Sequence, residues 1–410
     1  MTETTIAGPV LADFEAARAV LAPVVKVTPM ESSGFLERAV GSPVFLKCEN
    51  LQRTGSYKLR GAYYRLSKLS EAERARGVVA ASAGNHAQGV AFAARALGIR
   101  ATIFMPVGAA LPKLQATREY GAVVELAGAT FDETLAAAIA FGRTSGGVFI
   151  PPFDHEDVIA GQGTVGLEIL EQTPEVDTVI VPIGGGGLIS GIASAIRQST
   201  DRPVRIIGVQ AENAAPYPLS LAAGEATAIP ITPTIADGIA VAKPGALNFD
   251  IIRDVVDEIV TVSDDDTAQA LVQLLERAKL VVEPAGAVGV AALLSRRIVP
   301  TGTTVVVLSG GNIDPLMLER VVAHGLAASE RYLKIRIPLP DRPGQLATTS
   351  RIVAEQNANV VEVVHTRHGT GMEISVVELE LHIETRGPEH AEQVLGALRA
   401  NGYEPRVVAG

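Results

Sequence analysis

At 410 residues the chain is too long for one ordinary core, and 47% hydrophobic with 20% charged residues excludes a disordered polymer. A formal net charge of -10 argues against nucleic acid or an anionic membrane as the main partner. One cysteine, Cys48, excludes an internal disulfide and a cysteine-built zinc site, and fits a reducing, cytoplasmic setting. No basic start followed by an apolar run opens the sequence, so a signal peptide is not expected. The longest apolar stretches, 176–196 and 280–294, are broken by Asp177, Pro182, four glycines, Glu283 and Pro284. They read as buried strands and helices and not as membrane spans.

From about residue 44 to 309 one grammar repeats: a short β-branched run, a turn, then an alanine-rich helix. Such alternation predicts parallel sheets covered on both faces, with ligands beyond the C-terminal strand ends. The first chemical segment is SYKLRGA (56–62), which sets Lys58 among small and aliphatic residues at a predicted helix start. A lone lysine is ordinarily a surface residue. At a helix N-terminus in an apolar pocket its cation is destabilised, and the neutral amine can form a Schiff base with an aldehyde.

A strand is predicted over 77–81 and a helix over 87–97, with SAGNHAQG (82–89) at the turn between them. Small residues there leave backbone N–H groups for an anion such as a substrate carboxylate. Asn85 adds an amide donor, and His86 reads either as a general base or as a helix-start residue held by local hydrogen bonds.

Next come a strand at 101–105 and a helix at 112–120, then a strand at 178–183 that runs directly into Gly184, Gly185, Gly186 and Gly187. A helix starting at Leu188 points its positive end at this turn, and the glycines let a phosphate approach the backbone. Neither a P-loop lysine nor dinucleotide spacing is present, which leaves a cradle for a phosphate monoester without metal. Strands at 205–210 and 303–309 follow, the second ending in SGGN with Ser309 at its end. Taken alone, that serine reads as a turn cap.

After a helix at 316–329 the register changes near residue 330. A strand at 332–339, a helix to about 357, strands at 359–367 and 372–383, a helix at 389–400 and a strand at 404–408 spell a ferredoxin-like βαββαβ unit. The expected domains are thus 1–330 and 331–410.

In order, SYKLRGA, SAGNHAQG, GQGT (161–164), GGGGL and SGGN resemble the fold-type-II pyridoxal-phosphate enzymes, and within them the serine/threonine dehydratases. The resemblance covers about residues 10–330. It implies two parallel-sheet subdomains and pyridoxal 5'-phosphate as cofactor, carried by Lys58. Asn85 would contact its phenolic oxygen, Gly184, Gly185, Gly186, Gly187 and Leu188 its phosphate, and Ser309 its ring nitrogen. Ser82, Ala83, Gly84, Asn85 and His86 would hold the substrate carboxylate, which leaves Lys58 and not His86 as the base. The implied reaction is loss of water and then ammonia from L-threonine, and from L-serine, to a 2-oxo acid.

Ala83 stands where related serine racemases carry a second serine, which speaks against efficient racemisation. Gln210, Ala214 and Pro216 stand where those relatives bind a divalent cation, so no metal is expected, although Glu212 keeps a weaker cation site open. Tyr57 replaces the commoner phenylalanine before the lysine. The C-terminal unit resembles ACT domains. Its loop Asp341, Arg342, Pro343, Gly344, Gln345 and Leu346 matches the loop at which ACT domains take small amino acids, usually between subunits. A homodimer or homotetramer with an amino-acid effector is therefore expected. Competing readings are a racemase or β-replacement enzyme on the same cofactor, and a non-catalytic amino-acid sensor.

Overall fold

A computed structural model describes residues 7–367 and 376–408. The chain divides into two compact units, Met1–Met317 and Leu318–Gly410. In chain order the strands of the first unit are β1 (Met30–Ser32), β2 (Val44–Lys47), β3 (Val78–Ala81), β4 (Ala101–Met105), β5 (Val123–Leu126), β6 (Val148–Phe149), β7 (Thr178–Pro182), β8 (Arg205–Ala211), β9 (Glu258–Val262) and β10 (Thr304–Val307).

They form two sheets. One has six strands in the order β1-β2-β10-β7-β8-β9, and the other four in the order β5-β4-β3-β6. Every pairing is parallel except β1 with β2, an antiparallel edge absent from the sequence expectation. Three residues are too few to show a period, which is why β1 was not foreseen.

Each sheet has its own core. Val179, Val181, Ile206, Val305 and Val307 are buried in the larger, and Val78, Ala80, Ile103 and Met105 in the smaller. Strands covered on both faces need apolar residues at consecutive positions, and β3 and β7 are buried at every residue. Local signals set the helix limits. Before helix Phe131–Ser145, for instance, Thr130 and Glu133 reciprocally satisfy each other's backbone N–H.

Helices Glu156–Gln172 and Gly187–Ser199 cross at their glycines. A Cβ on Gly191 would come within 2.5 Å of the Ile159 carbonyl oxygen, and one on Gly163 within 2.3 Å of the Phe14 ring. The helix that starts at the glycine turn is thereby seated directly on its neighbour's backbone.

In the second unit, β11 (Tyr332–Pro340), β12 (Asn359–Thr366), β13 (Val376–Glu384) and β14 (Arg406–Val407) form an antiparallel sheet in the order β12-β13-β11-β14. Helices Gln345–Glu355 and Pro388–Ala400 complete the βαββαβ order. Ile335, Ile337, Leu379, Leu381, Val394 and Leu398 share its core. The first four residues of the strand expected at 372–383 lie outside the described residues. No helix among the described residues is long and apolar enough to cross a membrane.

Candidate active site

The turns that follow β3, β7 and β10 carry the chemical segments, so all three lie at C-terminal strand ends, where open α/β sheets bind ligands. Lys58 opens helix Lys58–Ser67 and is half-buried. Its Nζ donates to the Pro152 carbonyl at 2.8 Å and lies 5.3 Å from the centre of the Tyr57 ring. Burial pulls the amine down to about pKa 8, against the opposing charge of Glu283. Near neutral pH a useful fraction is therefore unprotonated.

A short segment after β6, which sequence reasoning did not single out, joins the parts. The Ile150 carbonyl accepts from His86 Nε2 at 3.0 Å, and the Pro152 carbonyl accepts from Lys58. The Phe153 ring fills the space beside Gly185, where a Cβ would lie 2.5 Å from it. Asp154 accepts from the Ala246 amide at 2.9 Å and the Asn248 amide at 3.2 Å. Residues 150–154 thus touch the lysine, the SAGNH turn and the glycine turn. Their signal in the sequence, an apolar pair followed by two prolines, says nothing of these partners.

His86 is buried, and burial together with the nearby Lys58 charge pulls its imidazole down to about pKa 3. The neutral ring must place its proton on Nε2 to reach the Ile150 carbonyl. That nitrogen is therefore engaged as a donor, and the lone pair lies on Nδ1. At the same turn the Gly84 N–H donates to Ser82 Oγ at 3.1 Å. The amides of Ala83, Asn85 and His86 meet no acceptor among the described residues.

Asn85 belongs to a polar cluster. Its Nδ2 donates to Glu283 Oε1 at 2.7 Å, and its Oδ1 accepts from Asn312 Nδ2 at 2.8 Å. The same Asn312 amide donates to the Thr54 carbonyl at 2.6 Å. Glu283 is buried; burial, with Asp237 adding to it, pushes its carboxyl up to about pKa 7. Neither Glu283 nor Asn312 was a candidate from sequence. Glu283 read only as an interruption of an apolar run.

Ser309 is buried at the end of β10, and its carbonyl accepts from the Tyr57 amide at 3.2 Å. The neighbouring Ser56 and Gly310 form a bridge. Lys58, Asn85 and Ser309 are thereby brought to one place.

The turn after β7 is built as a cradle. Gly186 has φ +105°, a conformation that favours glycine. The amides of Gly184, Gly185, Gly186 and Gly187 meet no acceptor among the described residues, and helix Gly187–Ser199 begins there. Unpaired N–H groups at a helix N-terminus, on residues that carry no side chains, fit a phosphate monoester. Beside this turn, the lysine amine suits an aldehyde, so the residues present fit pyridoxal 5'-phosphate.

Gln210, at a position where related racemases bind a divalent cation, is buried and accepts from the Tyr217 amide at 3.1 Å. Among the described residues there is no group of three or more His, Cys, Asp or Glu that could hold a metal ion.

In the second unit, Gly344 has φ +91° and caps helix Gln345–Glu355. Gln345 Oε1 accepts from Tyr403 at 3.3 Å, and Asp341 faces Arg367 at 3.8 Å. Arg342, Pro343 and Leu346 complete an exposed or half-exposed loop.

Comparison with known proteins agrees with this geometry. Residues 21–310 match the family described as pyridoxal-phosphate dependent enzyme, and 335–402 match the ACT domain. The chain is 48% identical to an L-threonine ammonia-lyase of Thermotoga maritima, over 97% of this chain and 99% of that one. It is 49% identical to an L-threonine ammonia-lyase of Geobacter sulfurreducens, over 92% and 94%. Among solved structures it resembles a processed threonine deaminase isoform 2 from Solanum lycopersicum (TM-score 0.73, 36% identity, covering 78% of this chain and 92% of that one). It also resembles maize serine racemase (TM-score 0.73, 36% identity, covering 78% and 98%).

Proposed function

The chain belongs to the pyridoxal-phosphate-dependent enzymes, and from that premise we propose that it is an L-threonine ammonia-lyase with an ACT domain. It converts L-threonine to 2-oxobutanoate and ammonia, and L-serine to pyruvate and ammonia. The observation that carries the reading is the Lys58 amine, lowered to about pKa 8 and held at the Pro152 carbonyl beside the segment that packs on the glycine turn.

When bound, pyridoxal 5'-phosphate supplies an aldehyde that takes up amines and a ring that stabilises negative charge at the substrate α-carbon. The protein supplies position and protons. The amides of Gly184, Gly185, Gly186, Gly187 and Leu188 would hold the phosphate. Asn85 would meet the phenolic oxygen and Ser309 the ring nitrogen, where a neutral hydroxyl could not act as the acid an aspartate would be. The free amides around Ala83, Asn85 and His86 take the substrate carboxylate. Lys58, in its neutral form, has a lone pair to accept the α-proton while an N–H stays on Pro152.

Purified protein is expected to absorb in the near-visible range and to release ammonia from L-threonine, and Lys58→Ala should lose both. Absence of the band in well-folded wild type would overturn the assignment. Chiral analysis of serine in the same incubation should show 2-oxo acid outpacing inversion, because Ala83 offers no proton donor or acceptor.

The regulatory ligand is a small amino acid bound at Asp341, Arg342, Pro343, Gly344, Gln345 and Leu346. This rests on the ACT match and on the backbone exposed by Gly344. The catalytic part is assigned to 1–330 and the ACT part to 331–410, with the enzyme working as a cytoplasmic homodimer or homotetramer. A reducing compartment accords with a single, buried cysteine.

A further inference from the structure

Behind the glycine turn lies a hydroxyl that the reaction does not use. Tyr217 lies in helix Pro216–Ala223 and is fully buried. Its Oη donates to the Gly185 carbonyl at 3.1 Å, and the Gly245 amide donates to the same oxygen at 3.1 Å. Tyr217 is itself fixed by its own amide, which donates to Gln210 Oε1 at 3.1 Å, while Gln210 Nε2 lies 3.5 Å from the Ile183 carbonyl. Both carbonyls that flank Gly184 are therefore held from the same buried layer. A Cβ on Gly186 would come within 2.1 Å of Tyr217 Oη and 2.8 Å of Asn248 Cβ, so these groups fill the underside of the turn.

The peptide between Gly185 and Gly186 is trans, and in a trans peptide the C=O and the N–H point in opposite directions. Two donors clamp the oxygen from beneath. The Gly186 N–H is thereby aimed upward, away from the buried layer. A glycine at φ +105° has no side chain to enforce that orientation, and its peptide would otherwise be free to turn over.

We propose that Tyr217 is a positioning residue of the phosphate cradle: with the Gly245 amide it clamps the Gly185 carbonyl and so presents the Gly186 N–H to the cofactor's phosphate. The inference rests on the reading that this turn holds the phosphate. Burial, and then the Asp154 charge, push the phenol well above its usual range, so the hydroxyl remains a donor at any working pH.

Tyr217→Phe keeps the ring and removes only the donor. The test compares the affinity of apoenzyme for pyridoxal 5'-phosphate and for pyridoxal, which offer Lys58 the same aldehyde and differ in the phosphate. The variant is expected to bind the phosphate form about tenfold more weakly, the scale of one misaligned charge-assisted hydrogen bond, with pyridoxal affinity unchanged. Equal loss for both ligands, or no loss, overturns the clamp. Gly184→Ala, whose Cβ would meet Ile239 Cα at 3.1 Å, perturbs the same turn without touching the clamp. If it lowers the phosphate preference while Tyr217→Phe does not, the clamp fails and the cradle stands; if neither does, the cradle reading itself fails. Should Tyr217→Phe not fold, amide hydrogen exchange on wild-type apoenzyme decides. Gly186 should be protected by pyridoxal 5'-phosphate and not by pyridoxal, and equal protection by the two overturns the proposal.

Discussion

Glu283 has one oxygen on the Asn85 amide and almost no exposure to water. Asp237 pushes its carboxyl further up, while the Asn85 hydrogen bond, Lys113 and Lys58 pull it back, and the balance stands at about pKa 7. A carboxyl raised in this way binds a proton more tightly in the folded chain than in the unfolded one. It therefore adds stability below the ordinary carboxylate pKa of about 4.3, and that stability is lost as pH rises through about 7. Glu283→Gln should remove this dependence: thermal melts of wild type should fall between pH 5 and pH 8 relative to the variant. Parallel curves would refute the assignment. Because Asn85 is oriented by Glu283 on one side and Asn312 on the other, the same variant should change cofactor absorbance more than it changes substrate KM. Nothing in a single sequence marks this carboxylate, since its partner Asn85 is nearly two hundred residues away.

Around Lys58 the elements are tied by buried charge. Arg60, two residues on, has no exposed surface and sits between Glu49 at 2.8 Å and Glu168 at 2.6 Å. Lys47 on β2 reaches the other oxygen of Glu168 at 2.6 Å. Two cations and two carboxylates thus join β2, the turn at Glu49–Leu51, the lysine helix and helix Glu156–Gln172. Burial pulls the Lys47 amine down, and Glu168 and Glu49 counteract it. Removing one member leaves an uncompensated charge in a dry place, which costs about 3–5 kcal/mol in comparable clusters. Arg60→Met should lose stability on that scale in chemical denaturation and should release cofactor more readily. A loss below about 1 kcal/mol would show that the cluster is solvated. The grammar of strand, turn and helix was legible here, because buried parallel strands need unbroken β-branched runs. The ion pairs were not: Lys47 and Arg60 look in sequence like any surface cations.

At the scale of the molecule, the turns after β3, β7 and β10 and the change of register into the C-terminal unit were legible in the sequence, since glycine runs, strand ends and hydrophobic period are local properties. Sequence reading missed the antiparallel edge β1 and the segment 150–154, whose meaning lies wholly in distant partners. The division at Met317/Leu318 places most of helix Pro315–Ala328 with the second unit. A chain ending at 317 keeps both catalytic cores, each closed by its own residues. It should release ammonia from L-threonine and lose any response to small amino acids that the full chain shows; an unchanged response would remove the proposed regulatory role from the C-terminal unit. The segment after β6 holds the lysine and the histidine through main-chain oxygens, at Pro152 and Ile150. Side-chain scanning is nearly blind to such dependence, since every replacement keeps the same carbonyl. Tolerance of substitution at 150 and 152 would therefore not mean irrelevance, and an amide-to-ester exchange that weakens those oxygens is the perturbation able to reveal what they do.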